Sequence, residues 1–337
     1  MPSVLLDSVP QLPSSEFKPK MSREPEHILR PLMKQFRSLI GYDWADSGCD
    51  NDINDLIQGM HEEAAIIGIP YPEGSRAWHA FKTGLYYARF CFPGHSLETR
   101  IYIGIYTWVS VMVDDSAQGD PEEWQYFIHR FHAGLKQHSL LAQAWADIIL
   151  LAFKFYAPRV ANFIVTSSLN FTNANVLEGS EVLRMKPTVG GENWAWYLRD
   201  KTGVAEAFAL LTFPKDRCPD MSLFMECISD MNKYLCFTND ILSFYKEEKA
   251  GEKDNYVHVR ANYTGKDVFS TLQDIIKEDV ECVRRIQLIL RGREPYAQAM
   301  HDHIMGFVRF HTTSERYRLA ELGLGEKCRD VMPRQNK

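Results

Sequence analysis

Helical periodicity runs through this chain from about residue 24 onward, and no other feature limits its possible folds as strongly. Apolar residues recur every three or four positions, and clusters of Pro, Gly and Asp separate the periodic segments. The sequence contains no convincing strand alternation, no glycine-rich phosphate loop and no repeat at solenoid spacing. The predicted helices are Glu26–Leu39, Asp52–Ile67, Arg76–Cys91, Leu97–Asp115, Pro121–Leu135, Leu140–Phe155, Val160–Leu177, Trp194–Phe213, Asp220–Glu247, Lys266–Leu290 and Pro295–Leu322.

This pattern predicts one all-α domain, a bundle of helices around a shared core. The chain has 337 residues, of which 45% are hydrophobic and 24% charged, an ordinary globular composition. Residues 1–22 are rich in Pro and Ser and lack the basic start of a secretory signal, so we expect a disordered lead-in. The domain is predicted to span residues 23–325, followed by a tail at 326–337.

Charge and cysteine content exclude several classes of partner and location. The net charge is −6, without a dense basic tract, which argues against a nucleic-acid partner. The longest apolar run, Ile101–Val113, is too short to cross a bilayer, so stable membrane insertion is not expected. The seven cysteines are scattered, as is typical of reduced thiols in the cytoplasm. A homodimer is left open.

A stripe of oxygen-bearing side chains recurs every fourth residue at Asn239, Ser243 and Glu247. Residues four apart share one face of an α-helix, so an amide, a hydroxyl and a carboxylate would lie together. Such hard oxygen ligands suit Mg²⁺ or Mn²⁺, and the adjacent Lys246 suits an anion that the metal also holds. The alternative is a solvated helix face, but bulky apolar residues surround the stripe between positions 231 and 245.

A second acidic site, Asp114-Asp115, stands at the predicted end of the most apolar helix. Carboxylates at a helix C-terminus face the negative end of the helix dipole, which a divalent cation would offset. Taken alone, the pair is more typical of a solvated turn. If it faced the Asn239 stripe across a helical bundle, the two sites would hold metal ions around one polyanion.

The run Asn239–Glu247 resembles the second metal motif of class I terpene cyclases, and its Phe-Tyr-Lys-Glu part is similar to the fungal trichodiene synthase group. Asp114-Asp115 resembles the aspartate-rich motif of the same family. The segment Arg199–Gly203 resembles its diphosphate sensor, and Arg316-Tyr317 resembles its C-terminal Arg-Tyr pair. Together these motifs cover roughly residues 76–322, which is most of the chain.

The resemblance implies the class I terpenoid synthase fold, a helical bundle around a central active-site cavity. It implies a sesquiterpene synthase that ionises and cyclises farnesyl diphosphate, releases diphosphate and forms a hydrocarbon or an alcohol. It also implies three Mg²⁺ ions, with Mn²⁺ as a possible substitute. The implied metal ligands are Asp114, Asn239, Ser243 and Glu247. The implied catalytic residues around the diphosphate are Arg199, Thr202, Gly203, Lys246, Arg316 and Tyr317.

Two positions depart from the family pattern. Gln118 stands where the aspartate-rich motif usually carries an acid, so Asp115 and Asp120 are candidates for the supporting role around Asp114. Phe310 stands where the trichodiene synthase group has Trp. Aromatic faces stabilise carbocations without offering a lone pair. The expected aromatic residues of the cavity wall are Phe81, Trp108 and Phe310.

Three other functions compete with this interpretation. An isoprenyl chain-elongating transferase has the same fold but normally carries two full aspartate-rich motifs. A non-catalytic helical protein that binds prenyl diphosphate, or a scaffold with a degenerate metal motif, would fit the Gln118 departure. A metal-dependent hydrolase could use His301-Asp-His303 or the pair His129 and His132, but these lack an HExxH arrangement and are expected to be surface histidines.

Overall fold

The computed structural model describes residues 25–43, 52–179 and 185–327, and within these ranges the regular structure is entirely helical. The predicted lead-in at 1–22 lies outside the described residues, as does most of the predicted tail. The α-helices are α1 (Pro25–Leu39), α2 (Ile53–Ile67), α3 (Arg76–Cys91), α4 (Leu97–Gly119), α5 (Pro121–Trp124), α6 (Phe127–His132), α7 (Leu140–Phe155), α8 (Pro158–Glu178), α9 (Trp194–Thr202), α10 (Ala205–Leu211), α11 (Ile228–Ala250), α12 (Tyr256–Thr264), α13 (Val268–Leu290) and α14 (Tyr296–Thr313).

Local sequence sets where many of these helices begin and end. The Ser75 hydroxyl accepts a hydrogen bond from the Trp78 backbone N–H at the start of α3, and Ser139 caps α7 in the same way. Gly251 ends α11 in the left-handed conformation, with φ of 77°, which glycine adopts without steric cost. These short-range signals explain why most helix positions could be predicted.

Several predicted boundaries are wrong, in most cases because one periodic segment contains a break. The segment Trp194–Phe213 is divided into α9 and α10 at Gly203-Val204, where Val204 has a φ of 45°. Pro121–Leu135 is likewise divided into α5 and α6. Hydrophobic periodicity continues across such breaks, so it cannot reveal them.

The C-terminal half contains further differences. The helix predicted from Asp220 begins only at Ile228, after two 3₁₀ turns. The short helix α12 was not predicted, because its nine residues between two glycines carry little periodicity. The helix predicted to reach Leu322 ends at Thr313, and a 3₁₀ turn, Glu315–Tyr317, follows it.

The helices form a ring around a central cavity. Helix α3 packs between α4 and α14, and the ring continues from α4 through α8, α10 and α11 back to α14. Each of these helices contributes residues to the cavity lining. Helices α1, α2, α7 and α13 pack against the ring. None of the described helices is both long enough and apolar enough to span a membrane.

Candidate active site

The predicted oxygen stripe faces the central cavity from α11. Leu235, Asn239 and Glu247 lie at helical spacing along the lining of this cavity, whose volume is about 350 Å³. Ser243 lies on the same face but is buried, with 2% of its surface exposed. Its Oγ finds no hydrogen-bond partner among the described residues. A buried hydroxyl without a partner is unfavourable, so this position would gain from a bound ligand.

Lys246 adds a positive charge beside the stripe. Its Nζ lies 3.4 Å from Glu247 Oε1, and the two side chains are 22% and 12% exposed. Lys246 is not among the residues that line the cavity, but its charge favours the carboxylate form of Asp114. The lysine is therefore close enough to act electrostatically on an anion near the metal motifs.

Helix α4 carries the aspartate pair on the other side of the ring, but the pair does not end the helix as predicted. The helix continues for another turn to Gly119. Asp114 lines the cavity, whereas Asp115 is exposed and lines a separate groove beside it. Burial and the charge of Asp115 raise the pKa of Asp114 to about 6, because Arg316 and Arg199 offset these effects only in part.

Asp120 has a structural task of its own. It is exposed, and its Oδ1 accepts a hydrogen bond of 3.3 Å from the Glu123 backbone N–H at the start of α5. It belongs to neither the cavity lining nor the groove that Asp115 lines. In this geometry Asp120 caps the start of α5.

Arg199 joins α9 to the stripe on α11. Its Nε lies 2.9 Å and 3.0 Å from the two carboxylate oxygens of Asp240. Its Nη2 lies 3.2 Å from the Cys236 carbonyl oxygen and 3.4 Å from Asn239 Oδ1. Burial alone would lower the pKa of Arg199, but the charge of Asp240, the neighbouring Cys236 and the hydrogen bond to Asp240 together outweigh it, and the net shift is upward. The guanidinium thus stays charged at the cavity wall.

The break between α9 and α10 shapes the cavity next to Arg199. Thr202, Gly203 and Val204 all line the cavity. Val204 has φ of 45° and ψ of 19°, a left-handed conformation that costs a β-branched residue about 1–3 kcal/mol. The change of direction at this break starts α10, from which Phe208 also lines the cavity. Strained backbone of this kind is most often found at functional sites.

The predicted Arg-Tyr pair closes the cavity from the C-terminal side. Arg316 and Tyr317 both line the cavity, and they are held by the 3₁₀ turn after α14 rather than by the helix itself. Phe310 lines the cavity as well, and its ring lies 5.8 Å from that of Tyr317 in an edge-to-face arrangement. All four motifs recognised in the sequence thus contribute residues to one cavity.

The aromatic wall differs from the one predicted. Phe81 and Trp108 are fully buried behind the cavity and pack edge to face on each other, so they do not line it. Helical periodicity explains this correction. Positions 107, 110 and 111 lie on the same face of α4 as Asp114 and line the cavity, whereas position 108 does not. Counting helical positions from Asp114 would have identified the part of the cavity wall that α4 contributes. The aromatic residues of the cavity wall are Tyr87, Phe171, Phe208, Tyr256, Phe307, Phe310 and Tyr317.

The histidines considered for a hydrolase do not form a metal site. His129, His132 and His301 are exposed, as expected. His303 is fully buried, which corrects its prediction as a surface residue. Its Nε2 lies 3.0 Å from the Tyr87 hydroxyl, and its Nδ1 lies 2.6 Å from Thr212 Oγ1. His303 therefore fixes a wall residue of the cavity.

The donor set fits magnesium. Within residues 25–43, 52–179 and 185–327, no three His, Cys, Asp or Glu side chains converge to hold a metal. The stripe instead supplies one amide, one hydroxyl and one carboxylate, and Asp114 supplies a second carboxylate from α4. Mg²⁺ prefers oxygen ligands and keeps several waters, so a mixed set of this kind is suitable. The unpartnered Oγ of Ser243 favours the same conclusion.

Known proteins are similar to this chain in sequence or in fold. The chain is 35% identical over 322 residues to the longiborneol synthase CLM1 of Gibberella zeae, which covers 94% of this chain and 93% of that protein. It is 38% identical over 267 residues to the terpene synthase BipA of Cochliobolus sativus, covering 78% and 82% of the two chains. Among solved structures, the linalool/nerolidol synthase of Streptomyces clavuligerus has the same fold, with a TM-score of 0.58, 11% identity and coverage of 76% and 94%.

The family assignment rests on the greater part of the chain. Residues 72–332 match the family Trichodiene synthase (TRI5). This range includes all four motifs and every residue that lines the cavity. The chain belongs to the trichodiene synthase family of class I terpene synthases, enzymes that act on prenyl diphosphates.

Proposed function

We propose that this protein ionises farnesyl diphosphate, releases diphosphate and closes the remaining carbocation into a cyclic sesquiterpene. One observation carries the proposal. Oxygen ligands from α4 and α11, helices on opposite sides of the ring, line the same cavity as Arg199 and Arg316. Aromatic rings, among them Tyr87, Phe307 and Phe310, line another part of the same cavity. The longiborneol synthase CLM1 and its relatives support the same reaction class.

The proposed metal sites use the oxygen donors of the two motifs. Asn239, Ser243 and Glu247 would hold one Mg²⁺, and Asp114 would contribute to holding two more, with Mn²⁺ as a substitute. When bound, the ions act as Lewis acids that neutralise charge on the departing diphosphate. Asp115, exposed beside Asp114, stays outside the cavity and contributes charge rather than a ligand atom.

The chain's own donors bind the diphosphate. Arg199 and Arg316 offer planar guanidinium groups that match phosphate oxygens, and Lys246 offers a compact charge. Tyr317 offers a neutral donor. Thr202 and Gly203, beside the strained Val204, supply the backbone of the sensor segment where it lines the cavity.

The aromatic wall then directs the hydrocarbon. Faces of Phe307 and Phe310 stabilise a passing cation by roughly 0.5–2 kcal/mol each, without a nucleophile that could trap it. The Tyr87 hydroxyl is engaged with His303, which turns that ring into part of the wall. Closure around the substrate excludes water from the cation. No side chain need act as a strong base, since the released diphosphate can accept the final proton.

The direct test is product formation. Purified protein is incubated with Mg²⁺ and geranyl, farnesyl or geranylgeranyl diphosphate, and the products are identified by mass spectrometry. We expect a cyclic sesquiterpene from farnesyl diphosphate, and its loss after chelation of the metal. If no terpene forms from any of the three substrates, the proposal fails and the non-catalytic binding protein takes its place.

A single substitution tests the stripe. Ser243→Ala removes the unpartnered Oγ, and we expect kcat/KM to fall by at least about tenfold, with a higher requirement for Mg²⁺. Ser229→Ala is the matched control, because Ser229 is exposed on the same helix. Equal kinetics for the two variants would show that Ser243 is not a metal ligand.

Two further expectations stay predictions. A cytoplasmic location would be tested by fractionating cells that express the protein. A homodimer would be tested by light scattering during size-exclusion chromatography, where a mass near 39 kDa would indicate a monomer.

A further inference from the structure

The amide of Asn239 has two chemically different ends, and only one of them can bind a cation. Its Oδ1 has lone pairs, whereas its Nδ2 is a donor without ligand capacity. A rotation of the amide by 180° would exchange the two atoms at almost no steric cost. A metal site that uses Asn239 therefore needs something to fix the orientation of its amide.

His311 on α14 makes the contact that can do this. Its Nδ1 lies 2.7 Å from the Phe307 carbonyl oxygen, one turn earlier on the same helix. A carbonyl oxygen only accepts hydrogen bonds, so Nδ1 carries the proton. In the neutral ring the other nitrogen, Nε2, then has a lone pair and acts as an acceptor.

That acceptor faces Asn239. His311 Nε2 lies 3.2 Å from Asn239 Nδ2 on α11, so the amide nitrogen donates to the imidazole. At the other end, Asn239 Oδ1 lies 3.4 Å from the donor Nη2 of Arg199. Reversing the amide would set oxygen against a lone pair and nitrogen against a guanidinium N–H.

Packing leaves the imidazole little freedom to adapt. His311 is fully buried. Its ring centroid lies 4.6 Å from that of Phe307, 5.2 Å from that of Phe310 and 4.3 Å from that of Tyr317. A ring held on three sides and tied to its own backbone presents Nε2 in one direction only.

We propose that His311 is a positioning residue that holds the Asn239 amide with Oδ1 toward the cation and Nδ2 away from it. The inference rests on the proposed metal site at Asn239, Ser243 and Glu247. His311 itself contacts neither metal nor substrate. It lies outside the motifs by which the sequence resembles terpene cyclases, five residues before Arg316.

Three substitutions separate positioning from simple packing. His311→Gln can place an amide oxygen near the position of Nε2 and so still accept from Asn239. His311→Asn can reproduce only the Nδ1 contact with the Phe307 carbonyl oxygen. His311→Phe keeps a ring of similar shape with neither contact. If His311 only fills space, the Mg²⁺ dependence of the variants should follow their side-chain volume and stability. If His311 positions Asn239, the Mg²⁺ dependence should instead follow whether the new side chain offers an acceptor to Asn239 Nδ2.

The readout is magnesium dependence, measured in two ways. Calorimetry follows the binding of inorganic pyrophosphate to each variant as Mg²⁺ is varied, and steady-state kinetics follow turnover of farnesyl diphosphate over the same range. We expect the half-saturating Mg²⁺ concentration to rise about 10–100-fold for the Asn and Phe variants. The Gln variant should stay close to wild type. Thermal melting without metal shows that each variant is folded.

A double-mutant cycle with Asn239→Asp gives the sharpest comparison. A carboxylate has two equivalent oxygens and no orientation to fix. His311→Phe should therefore raise the half-saturating Mg²⁺ concentration much less in the Asn239→Asp background than in the wild type. An unchanged Mg²⁺ requirement in folded His311→Phe and His311→Asn variants overturns the inference and leaves the proposed function intact. If the wild type neither binds pyrophosphate with Mg²⁺ nor forms product, the proposed function fails and the inference with it. Should the Phe variant not fold, the Gln and Asn variants decide the matter.

Discussion

At the scale of one residue, the ionised carboxylate of Asp114 in the candidate site lowers the stability of the folded protein. Its carboxylate is partly buried beside Asp115, and the pKa of Asp114 is raised from an ordinary 3.8 to about 6. An acid with a raised pKa in the folded state favours folding when it is protonated. As the pH rises from 3.8 to about 6, ionisation of Asp114 therefore lowers the stability of the metal-free protein, and the full loss is present above pH 6.

Asp114→Asn removes that ionisation. We expect the melting temperature of the metal-free variant to exceed that of wild type by a few degrees at pH 8, and the difference to vanish near pH 4. At about 1.4 kcal/mol per pKa unit, the gain at high pH is on the order of 2 kcal/mol after allowance for partial exposure. The measurement is calorimetry across this pH range with EDTA present, and Asp147→Asn, an exposed aspartate on α7, is the control. A gain independent of pH would contradict the assignment.

At the scale of helices, close contacts at glycines set the width of the cavity. A Cβ on Gly84 of α3 would lie 2.2 Å from the Gly104 carbonyl oxygen of α4. A Cβ on Gly306 of α14 would lie 1.9 Å from the Phe90 carbonyl oxygen of α3. Both contacts involve backbone atoms, which cannot move aside as a flexible side chain can. The glycines thus hold α3 close to both of its neighbours in the ring.

Gly306→Ala should push α14 away from α3. We expect a loss of about 1–3 kcal/mol or more in the free energy of unfolding, because overpacked backbone contacts must shift. The shift would move Phe307 and Phe310 relative to Tyr87, so the ratio of products should change in the variant that remains folded. Denaturant unfolding and product analysis measure the two effects. Gly119→Ala is the control, since nothing lies within 4 Å of the position of its added Cβ.

At the scale of the whole molecule, the two ends of the described chain brace the metal-motif helix α11 and its neighbour α14. The Tyr245 hydroxyl on α11 lies 2.9 Å from Glu26 of α1 and 2.8 Å from Glu321 after the Arg-Tyr turn. Glu326 accepts hydrogen bonds from Tyr42 at 2.7 Å and from Arg309 at 2.5 Å. Glu326 therefore ties the C-terminal end of the described chain to α14 and to the segment after α1.

Glu326→Gln tests this brace. Burial alone would raise the pKa of Glu326, but hydrogen bonds from Tyr42 and Arg309 and the charge of Arg37 lower it. An acid with a lowered pKa stabilises the fold above its ordinary pKa, near 4.5, and loses this contribution as the pH falls. We expect the substitution to lower the free energy of unfolding by about 2–3 kcal/mol at pH 7 and by much less near pH 4. Glu63→Gln, on the exposed side of α2, is the control, and a cost independent of pH would argue against the brace.

The polar motif residues of the site were more predictable from the sequence than the aromatic residues of the cavity wall. Asn239, Glu247, Asp114, Arg199 and Arg316 could be found from the sequence because each belongs to a short motif within one helix or turn. No motif records which face of α3 meets the cavity, so Phe81 was predicted where Tyr87 is found. The breaks that separate α9 from α10 and α5 from α6 were missed because apolar periodicity continues across them.

The sequence by itself determined the helical class, most helix positions and the chemical identity of the candidate ligands, because these depend on spacing within a few residues. Only the tertiary structure decided what those ligands touch. It set Asn239 between Arg199 and His311, 40 residues before it and 72 after it in the chain. It left Ser243 Oγ without a hydrogen-bond partner among the described residues, and it turned Trp108 away from the cavity. These outcomes depend on how distant helices pack against one another, which spacing along a single helix does not specify.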